Sequence, residues 1–262
     1  MSNSFYYNGS RYVPRSERDQ WTGYMLASLA SWGAYKMLPH FAKPSLSQIQ
    51  KEEKFNDEYK KAMDTAYVKS GLKEHGVQIQ PAQYDMYVSD YSLGKNACYE
   101  PLSRKIKLNT DKAASLSFHE MGHAMNHLMG KSSKFLQKMR MPGLYIAALM
   151  EWFAVFSRTK PKEAQRNFKD WVEDNCGKIA FLSLMPVVAE EAIASHKGIK
   201  LAKSANLSKP LVQNLKKLYS RALLTYGARA AIGGLAVFAS RKIMDYYTFP
   251  QKVDDPIYEL FG

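Results

Sequence analysis

Residues 115–130 read SLSFHEMGHAMNHLMG and hold three histidines at intervals of four, the first two of which enclose a glutamate and a glycine. Apolar side chains recur there at spacings of three and four, which predicts one apolar stripe along a helix. The members of this stripe are Phe118, Met121, Met125 and Leu128. His119 and His123 lie off the stripe, one helical turn apart, so both imidazoles can reach the same point in space. A buried helix with incidental polar residues, a surface histidine cluster and a zinc site all fit this pattern.

The zinc interpretation gives each polar residue of the motif a role. His119 and His123 would bind the metal, and Glu120 would take a proton from a water that the metal activates, as in the H-E-x-x-H metalloproteases. His127 lies about 12 Å from His119 along a helix that rises about 1.5 Å per residue. Zinc–ligand bonds of about 2 Å cannot close that gap. We therefore expect His127 to be a supporting or surface residue, and a third ligand to come from elsewhere in the chain.

The net charge of +13 at pH 7 raises nucleic acid as a partner. The basic residues, however, neither gather on one element nor alternate with stacking aromatic residues, so we expect no nucleic-acid binding. Several border apolar segments, where they would complement anionic lipid headgroups, and a solvated basic surface is the alternative. These border residues are Arg140, Arg158, Arg221, Arg241 and Lys242. The two cysteines, Cys98 and Cys176, supply neither a disulfide framework nor a cysteine zinc site.

Four apolar stretches predict long helices. They cover about residues 21–40, 142–157, 178–194 and 222–240. None is a run of about 20 uncharged residues, since charges such as Glu151 and Arg229 interrupt them. Core helices of a soluble protein and short membrane helices with inward-facing charges both fit this pattern. The stretch 222–240 is the best candidate for insertion, because its borders are basic and only Arg229 lies inside it.

Residues 41–130, between the first and second apolar stretches, predict a soluble portion of the chain. Ser45 with Gln48 resembles a capping box that opens a helix, and Gly71 is typical of a helix end. Beyond the second apolar stretch, a polar helix is predicted from Pro161 to Gly177.

Two short runs before the motif helix alternate apolar and polar residues. They are YDMYVS at 84–89 and RKIKLN at 104–109, and each predicts a strand of a small sheet. We therefore expect one mostly α domain (α+β) over residues 1–262, with a small β-sheet preceding the motif helix.

A downstream segment resembles the glutamate-bearing part of gluzincins. Glu191, Ala194 and Ser195 form E-x-x-A-S, which is similar to the E-x-x-A-D by which gluzincins supply a glutamate ligand. Four segments, in this order, resemble the YugP-like neutral zinc metallopeptidases, which are membrane-embedded. They are CYEPLSRKIKLN (98–109), SFHEMGHAMNH (117–127), EEAIASHKGIKLA (190–202) and RALLTYGARAA (221–231). Together they span most of the chain from about residue 90 to 240.

The resemblance implies a zincin-like, α-rich gluzincin core, peptide hydrolysis that depends on Zn²⁺, and attachment to a membrane. It implies that His119, His123 and Glu191 hold the zinc and that Glu120 is the general base. Ser195 stands where many relatives have aspartate, and we expect it to hydrogen-bond a motif histidine.

Two further expectations concern the orientation of Glu190 and the donor that would stabilise the oxyanion. Glu190 lies about 100° from Glu191 around the helix, so we expect only Glu191 to face the motif helix and Glu190 to turn elsewhere, toward a partner such as an arginine. A further donor would stabilise the oxyanion of the substrate, and His196, Tyr226 and Arg221 are the candidates.

In zincins an extended substrate lies against a sheet edge that borders the cleft. Asn96, Ala97, Cys98 and Tyr99 occupy the corresponding place in this sequence and are candidates to line the cleft. A plain turn and core strand is the alternative.

These observations favour a zinc metallopeptidase at or in a membrane, with peptide or protein as substrate and lipid as a second partner. The alternative is a catalytically silent subunit that keeps the metallopeptidase fold and acts as a scaffold in a membrane assembly. Glu120 argues against that alternative, because a structural zinc site has no use for a general base.

Overall fold

The computed structural model describes residues 5–7, 10–81, 97–157 and 167–253. Most of these residues are helical. The helices are α1 (Glu17–Glu52), α2 (Asn56–Lys69), α3 (Ser117–Met129), α4 (Lys131–Phe156), α5 (Phe168–Ser204) and α6 (Lys209–Thr248). The strands are β1 (Phe5–Tyr7), β2 (Ser10–Val13), β3 (Gln78–Pro81), β4 (Ala97–Glu100), β5 (Lys105–Leu108) and β6 (Gln251–Val253). The prediction of a mostly α chain with a small sheet before the motif helix is confirmed.

The motif helix forms as α3, after a single 3-10 turn at Ala114–Leu116. Phe118 and Met121 of its apolar stripe are fully buried, so this stripe faces the core. The prediction of a helix over the motif is therefore confirmed.

A three-stranded sheet packs against α3. β5 is its central strand and pairs parallel with β3 and antiparallel with β4. Ile106 and Leu108 of β5 are fully buried, which confirms the strand predicted at 104–109. The strand predicted at 84–89 lies outside the described residues.

The four apolar stretches lie in α1, α4, α5 and α6. The helices α1, α5 and α6 extend beyond the predicted bounds at both ends, whereas α4 begins earlier than predicted and ends at Phe156. Two predicted helix ends are wrong. α1 runs through Ser45, and Gln48 donates a hydrogen bond to Glu52 instead of closing a capping box. α5 runs through Gly177, where a side chain would meet the carbonyl oxygen of Gly234 at 2.9 Å. Gly177 therefore serves close helix packing rather than helix termination. The start predicted at Pro161 lies outside the described residues.

Gly71 does end a helix as predicted. α2 stops at Lys69, and Gly71 has a φ of +68°, a backbone conformation that glycine adopts without strain.

The chain divides into two compact units, and the motif lies in the one formed by Leu38–Pro142 and Met185–Arg229. This motif unit holds the sheet of β3, β4 and β5 together with α2 and α3. Its core is a continuous apolar cluster in which large side chains from both chain segments are fully buried. Among them are Tyr59, Leu72, Ile106, Phe118, Met121 and Leu215.

The other unit, the helical unit, comprises the described residues of Met1–Met37, Gly143–Leu184 and Ala230–Gly262. Its helix segments pack closely where residues are small: a side chain at Gly23 would meet Tyr247, and Gly177 and Gly234 face each other. Large apolar side chains lie on its outside instead. All four tryptophans of the chain belong to this unit and are more than half exposed. They are Trp21, Trp32, Trp152 and Trp171.

Polar groups lie inside the helical unit. Arg241 is buried, and its guanidinium lies 3.4 Å from Glu173 Oε2 and 2.9 Å from Asp245 Oδ1. Ser31 and Ser240 both hydrogen-bond to Oε1 of Glu151. Charged and hydroxyl groups thus face inward where apolar side chains face outward.

Within the described residues, one helix is long and apolar enough to cross a membrane. It is α6, and only 22% of its most apolar 18-residue stretch is buried in the protein.

Candidate metal centre

Two helices of the motif unit bring five titratable side chains together. α3 supplies His119, Glu120 and His123, and α5 supplies Glu190 and Glu191. Glu190 and Glu191 are 0% and 2% exposed, so each carboxylate has lost its water and needs a positive or hydrogen-bonding partner in the protein.

Glycines allow α3 and α5 to approach this closely. A methyl group at Gly122, inside the motif, would overlap the backbone carbonyl of Ala194 on α5. A methyl group at Gly198 would lie 2.5 Å from the carbonyl oxygen of Phe118 on α3. The glycine of HEMGH is therefore required by the packing of the two helices that carry the site.

Three donor atoms converge at the centre of the cluster. Nε2 of His119 lies 3.0 Å from Nε2 of His123 and 3.1 Å from Oε2 of Glu191. Nε2 of His123 lies 3.4 Å from the same Glu191 oxygen. Zinc bonds of about 2.0–2.1 Å at tetrahedral angles place two ligand atoms about 3.3 Å apart. The three atoms therefore have the spacing of three corners of a tetrahedral zinc site.

The outer ring nitrogens are held by hydrogen-bonding partners. Nδ1 of His123 lies 2.8 Å from Oε1 of Glu190, and Nδ1 of His119 lies 3.2 Å from Oγ of Ser195. When each Nδ1–H donates to its partner, a neutral ring turns its Nε2 lone pair toward the centre. Such orientation of ligand histidines by outer partners is general at metal sites. The residues present thus fit a zinc ion.

The expectation that Glu190 turns away from the motif helix is wrong. Glu190 accepts hydrogen bonds from two residues of α3, His123 and Asn126, the latter at 2.8 Å from Nδ2. The two helices pack so closely that neighbouring glutamates of α5 reach α3 on either side of the His123 ring. The expected arginine partner exists as well, since Nη1 of Arg140 lies 2.8 Å from Oε2 of Glu190.

Arg140 contacts both glutamates. Its Nη2 atom lies 3.0 Å from Oε1 of Glu191, while Nη1 contacts Glu190. Each carboxylate therefore presents one oxygen to Arg140 and the other to a histidine of α3.

The glutamates set the charge of His123. Burial alone lowers the pKa of a histidine, but hydrogen bonds to Glu190 and Glu191 and the charge of Glu120 raise the pKa of His123 to about 10. In the metal-free protein His123 is therefore protonated at neutral pH, and its Nε2–H points at the position that fits zinc.

Glu120 borders the same centre. One of its carboxylate oxygens lies within 4.8 Å of a ring nitrogen of both His119 and His123. Glu120 is nearly buried but interacts electrostatically with Cys98 of β4 and with Tyr226 of α6. The charge of Glu120 therefore acts on side chains of both β4 and α6.

The three oxyanion candidates occupy different places. Tyr226 lies close enough to Glu120 and Glu191 to interact electrostatically with both. Arg221 donates a hydrogen bond of 2.7 Å to the side-chain oxygen of Gln48. His196 is exposed on α5.

The proposed substrate strand lies beside the motif helix as β4. Ala97, Cys98 and Tyr99 belong to β4, and Asn96 lies outside the described residues. Cys98 is exposed, whereas the hydroxyl of Tyr99 lies 3.0 Å from Nδ1 of His127. His127 is thus a supporting residue that links α3 to β4.

Sequence reasoning missed three residues around the site. Arg140 and Asn126 hold Glu190, and the ring of Tyr219 lies 5.2 Å from that of His119. Asn126 follows His123 by three residues, so helical spacing offered a signal for it. Arg140 and Tyr219 come from α4 and α6 and reach the site only through tertiary packing.

Comparison of the chain with protein-family models, with curated proteins and with solved structures found no match.

Proposed function

We propose that the protein is a zinc-dependent metallopeptidase of the gluzincin type that acts on peptide or protein substrates at or in a membrane. One observation carries the proposal: Nε2 of His119, Nε2 of His123 and Oε2 of Glu191 lie 3.0–3.4 Å from one another, with Glu120 beside them. The resemblance of four ordered segments to the YugP-like metallopeptidases supports the same conclusion.

Each residue of the site has a separate role in the proposed reaction. A bound zinc ion would supply a Lewis acid that lowers the pKa of water and polarises the substrate carbonyl. His119, His123 and Glu191 would hold the ion through Nε2, Nε2 and Oε2. Glu120 takes the proton of the attacking water and passes it to the departing amine. Tyr226, near Glu120 and Glu191, donates a hydrogen bond to the developing oxyanion.

Glu120 favours an enzyme over a scaffold. A structural zinc site is closed by four protein ligands, whereas a catalytic site has three and keeps one position open. A nearly buried carboxylate beside three ligand atoms costs desolvation energy and has no role in holding the metal. General-base catalysis gives that carboxylate a use.

Zinc analysis combined with a peptidase assay tests the proposal. We expect purified protein to hold about one zinc per chain and to cleave an unstructured protein such as casein, with activity lost to a chelator and restored by zinc. Cleavage by zinc-free protein contradicts the mechanism. One zinc per chain without hydrolysis of any peptide in a diverse library favours the scaffold.

The helical unit supports the membrane location. This unit exposes all four tryptophans, while the charged side chains of Arg241 and Glu173 are buried inside it. Charges that face inward and apolar side chains that face outward are the arrangement that a bilayer favours. Tryptophans are also enriched where membrane meets water. On this proposal lipid covers the helical unit, including the part of α6 within 222–240 that belongs to it.

A further inference from the structure

The two adjacent glutamates of α5 direct their carboxylates to different ring nitrogens of α3. Glu191 directs Oε2 to the histidine pair, but Glu190 directs Oε1 to the outer nitrogen of His123, away from the centre. Both carboxylates are buried, and two like charges side by side in a buried environment are costly. A cation that contacts both carboxylates lowers this cost.

Arg140 supplies that cation in a geometry that also fixes the ligand. Its guanidinium contacts Glu190 at 2.8 Å and Glu191 at 3.0 Å through separate nitrogens. The Arg140 side chain is 31% exposed, so these contacts form where water is partly excluded. The contact with Glu191 engages Oε1, which leaves Oε2 as the oxygen that faces His119 and His123.

We infer that Arg140 is a positioning residue that holds Glu191 as a one-oxygen ligand and so keeps the fourth position of the metal open. This inference rests on the proposed zinc site. A glutamate without this restraint can rotate and bind the metal through both oxygens, since zinc accepts five ligands as well as four. The second oxygen would then occupy space that the water and the substrate carbonyl need.

A planar guanidinium is suited to this task because its nitrogens are fixed relative to each other. They bridge two carboxylates at once, whereas the ammonium of lysine is a single point charge on a flexible stem. Arg140→Lys therefore keeps the charge and loses the bridge. Arg140→Met removes both.

Metal binding by these variants tests the inference without any assay of hydrolysis. Lys138→Met is the matched control, because Lys138 is an exposed cation two residues earlier on α4. The measurements are zinc affinity by competition with a chelator and the visible absorption of the cobalt-substituted protein, whose intensity reports coordination number. Circular dichroism shows which variants are folded.

We expect zinc affinity to fall about 10–100-fold in both Arg140 variants, and the cobalt absorption to weaken as coordination number rises. Lys138→Met should match the parent in both measurements. Either Arg140 variant, if folded, suffices for the test. A parent-like cobalt spectrum in a folded Arg140 variant overturns the inference, whatever the zinc affinity of that variant. A parent protein that binds zinc but cleaves no peptide overturns the proposed function and leaves the role of Arg140 standing.

Discussion

Oε2 of Glu191 lies 3.1 Å from Nε2 of His119, although the two residues are 72 positions apart in the sequence. The contact joins α5 to α3 where the two helices pack closely. They can do so because Gly122 has no side chain to keep them apart. The glycine that lets the helices touch and the histidine that contacts Glu191 therefore lie within the same few residues of the motif.

Glu120→Gln should retain zinc and lose hydrolysis. Glutamine has nearly the shape of glutamate but cannot accept the proton of the attacking water, and loss of a general base costs about 10²–10⁴-fold in rate. Metal analysis and kcat on one peptide substrate check both parts. Hydrolysis at the parent rate would remove Glu120 from the mechanism.

Glu191→Ala should lose more zinc than Glu190→Ala. Glu191→Ala removes a ligand atom and should leave almost no zinc after gel filtration. Glu190→Ala removes the partner of His123 Nδ1, so affinity should fall by about 10–100-fold while the ligand set stays complete. Metal analysis at matched total zinc compares them. Greater loss in Glu190→Ala would show that the other carboxylate is the ligand.

Zinc uptake should release a proton from His123. Its pKa of about 10 in the metal-free protein means that, at pH 7.5, zinc displaces about one proton from this ring. Calorimetric titration in two buffers of different ionisation enthalpy counts the protons released. Release of none at pH 7.5 would contradict a protonated His123.

The raised pKa of His123 also makes the stability of the metal-free protein depend on pH. A group with a folded pKa above its ordinary value of 6.5 stabilises the metal-free protein fully below pH 6.5, and that contribution is lost as pH rises through about 10. His123→Gln should remove this part of the pH dependence. Thermal unfolding of both metal-free proteins between pH 6.5 and 10 provides the comparison.

Tryptophan fluorescence should report lipid contact by the helical unit alone, because all four tryptophans belong to it. In liposomes that contain brominated lipid we expect strong quenching, and weak quenching by iodide from the water. The same protein in unbrominated liposomes is the control. Efficient iodide quenching, with no effect of brominated lipid, would favour a water-exposed unit and a soluble protein.

Local signals predicted the part of the site that one helix carries. His119 and His123 lie on one face of α3 because their spacing matches the helical turn, which the sequence alone shows. Ser195 lies 3.2 Å from Nδ1 of His119, one turn beyond Glu191 on the same helix. These placements depend on helix geometry and on one helix–helix contact.

The remaining features depend on packing that no local pattern encodes. The helical angle between Glu190 and Glu191 predicted that one would face away, but two helices in close contact leave room for both to reach α3. Arg140 comes from α4, whose own sequence carries no sign of the site. The helix end predicted at Gly177 is wrong for a related reason, since glycine both ends helices and allows them to touch.

Gly122→Ala should disrupt the site although it changes no polar group. The added methyl would overlap the carbonyl of Ala194, so α3 and α5 must separate. Overpacking of this kind costs about 1–3 kcal/mol, and the separation moves His119 and His123 away from Glu191. We expect a lower unfolding temperature and weaker zinc binding than in the parent.

Gly227→Ala is the matched control for this substitution. Gly227 lies in α6 of the same unit, and a methyl group there would meet nothing within 4 Å. Alanine favours a helix over glycine by about 1 kcal/mol, so stability should be unchanged or slightly higher, with zinc affinity unchanged. Unfolding temperature and chelator competition, measured in the same detergent, compare the two variants. Equal zinc affinity in Gly122→Ala and Gly227→Ala would show that the close approach of α3 and α5 is not what assembles the metal centre.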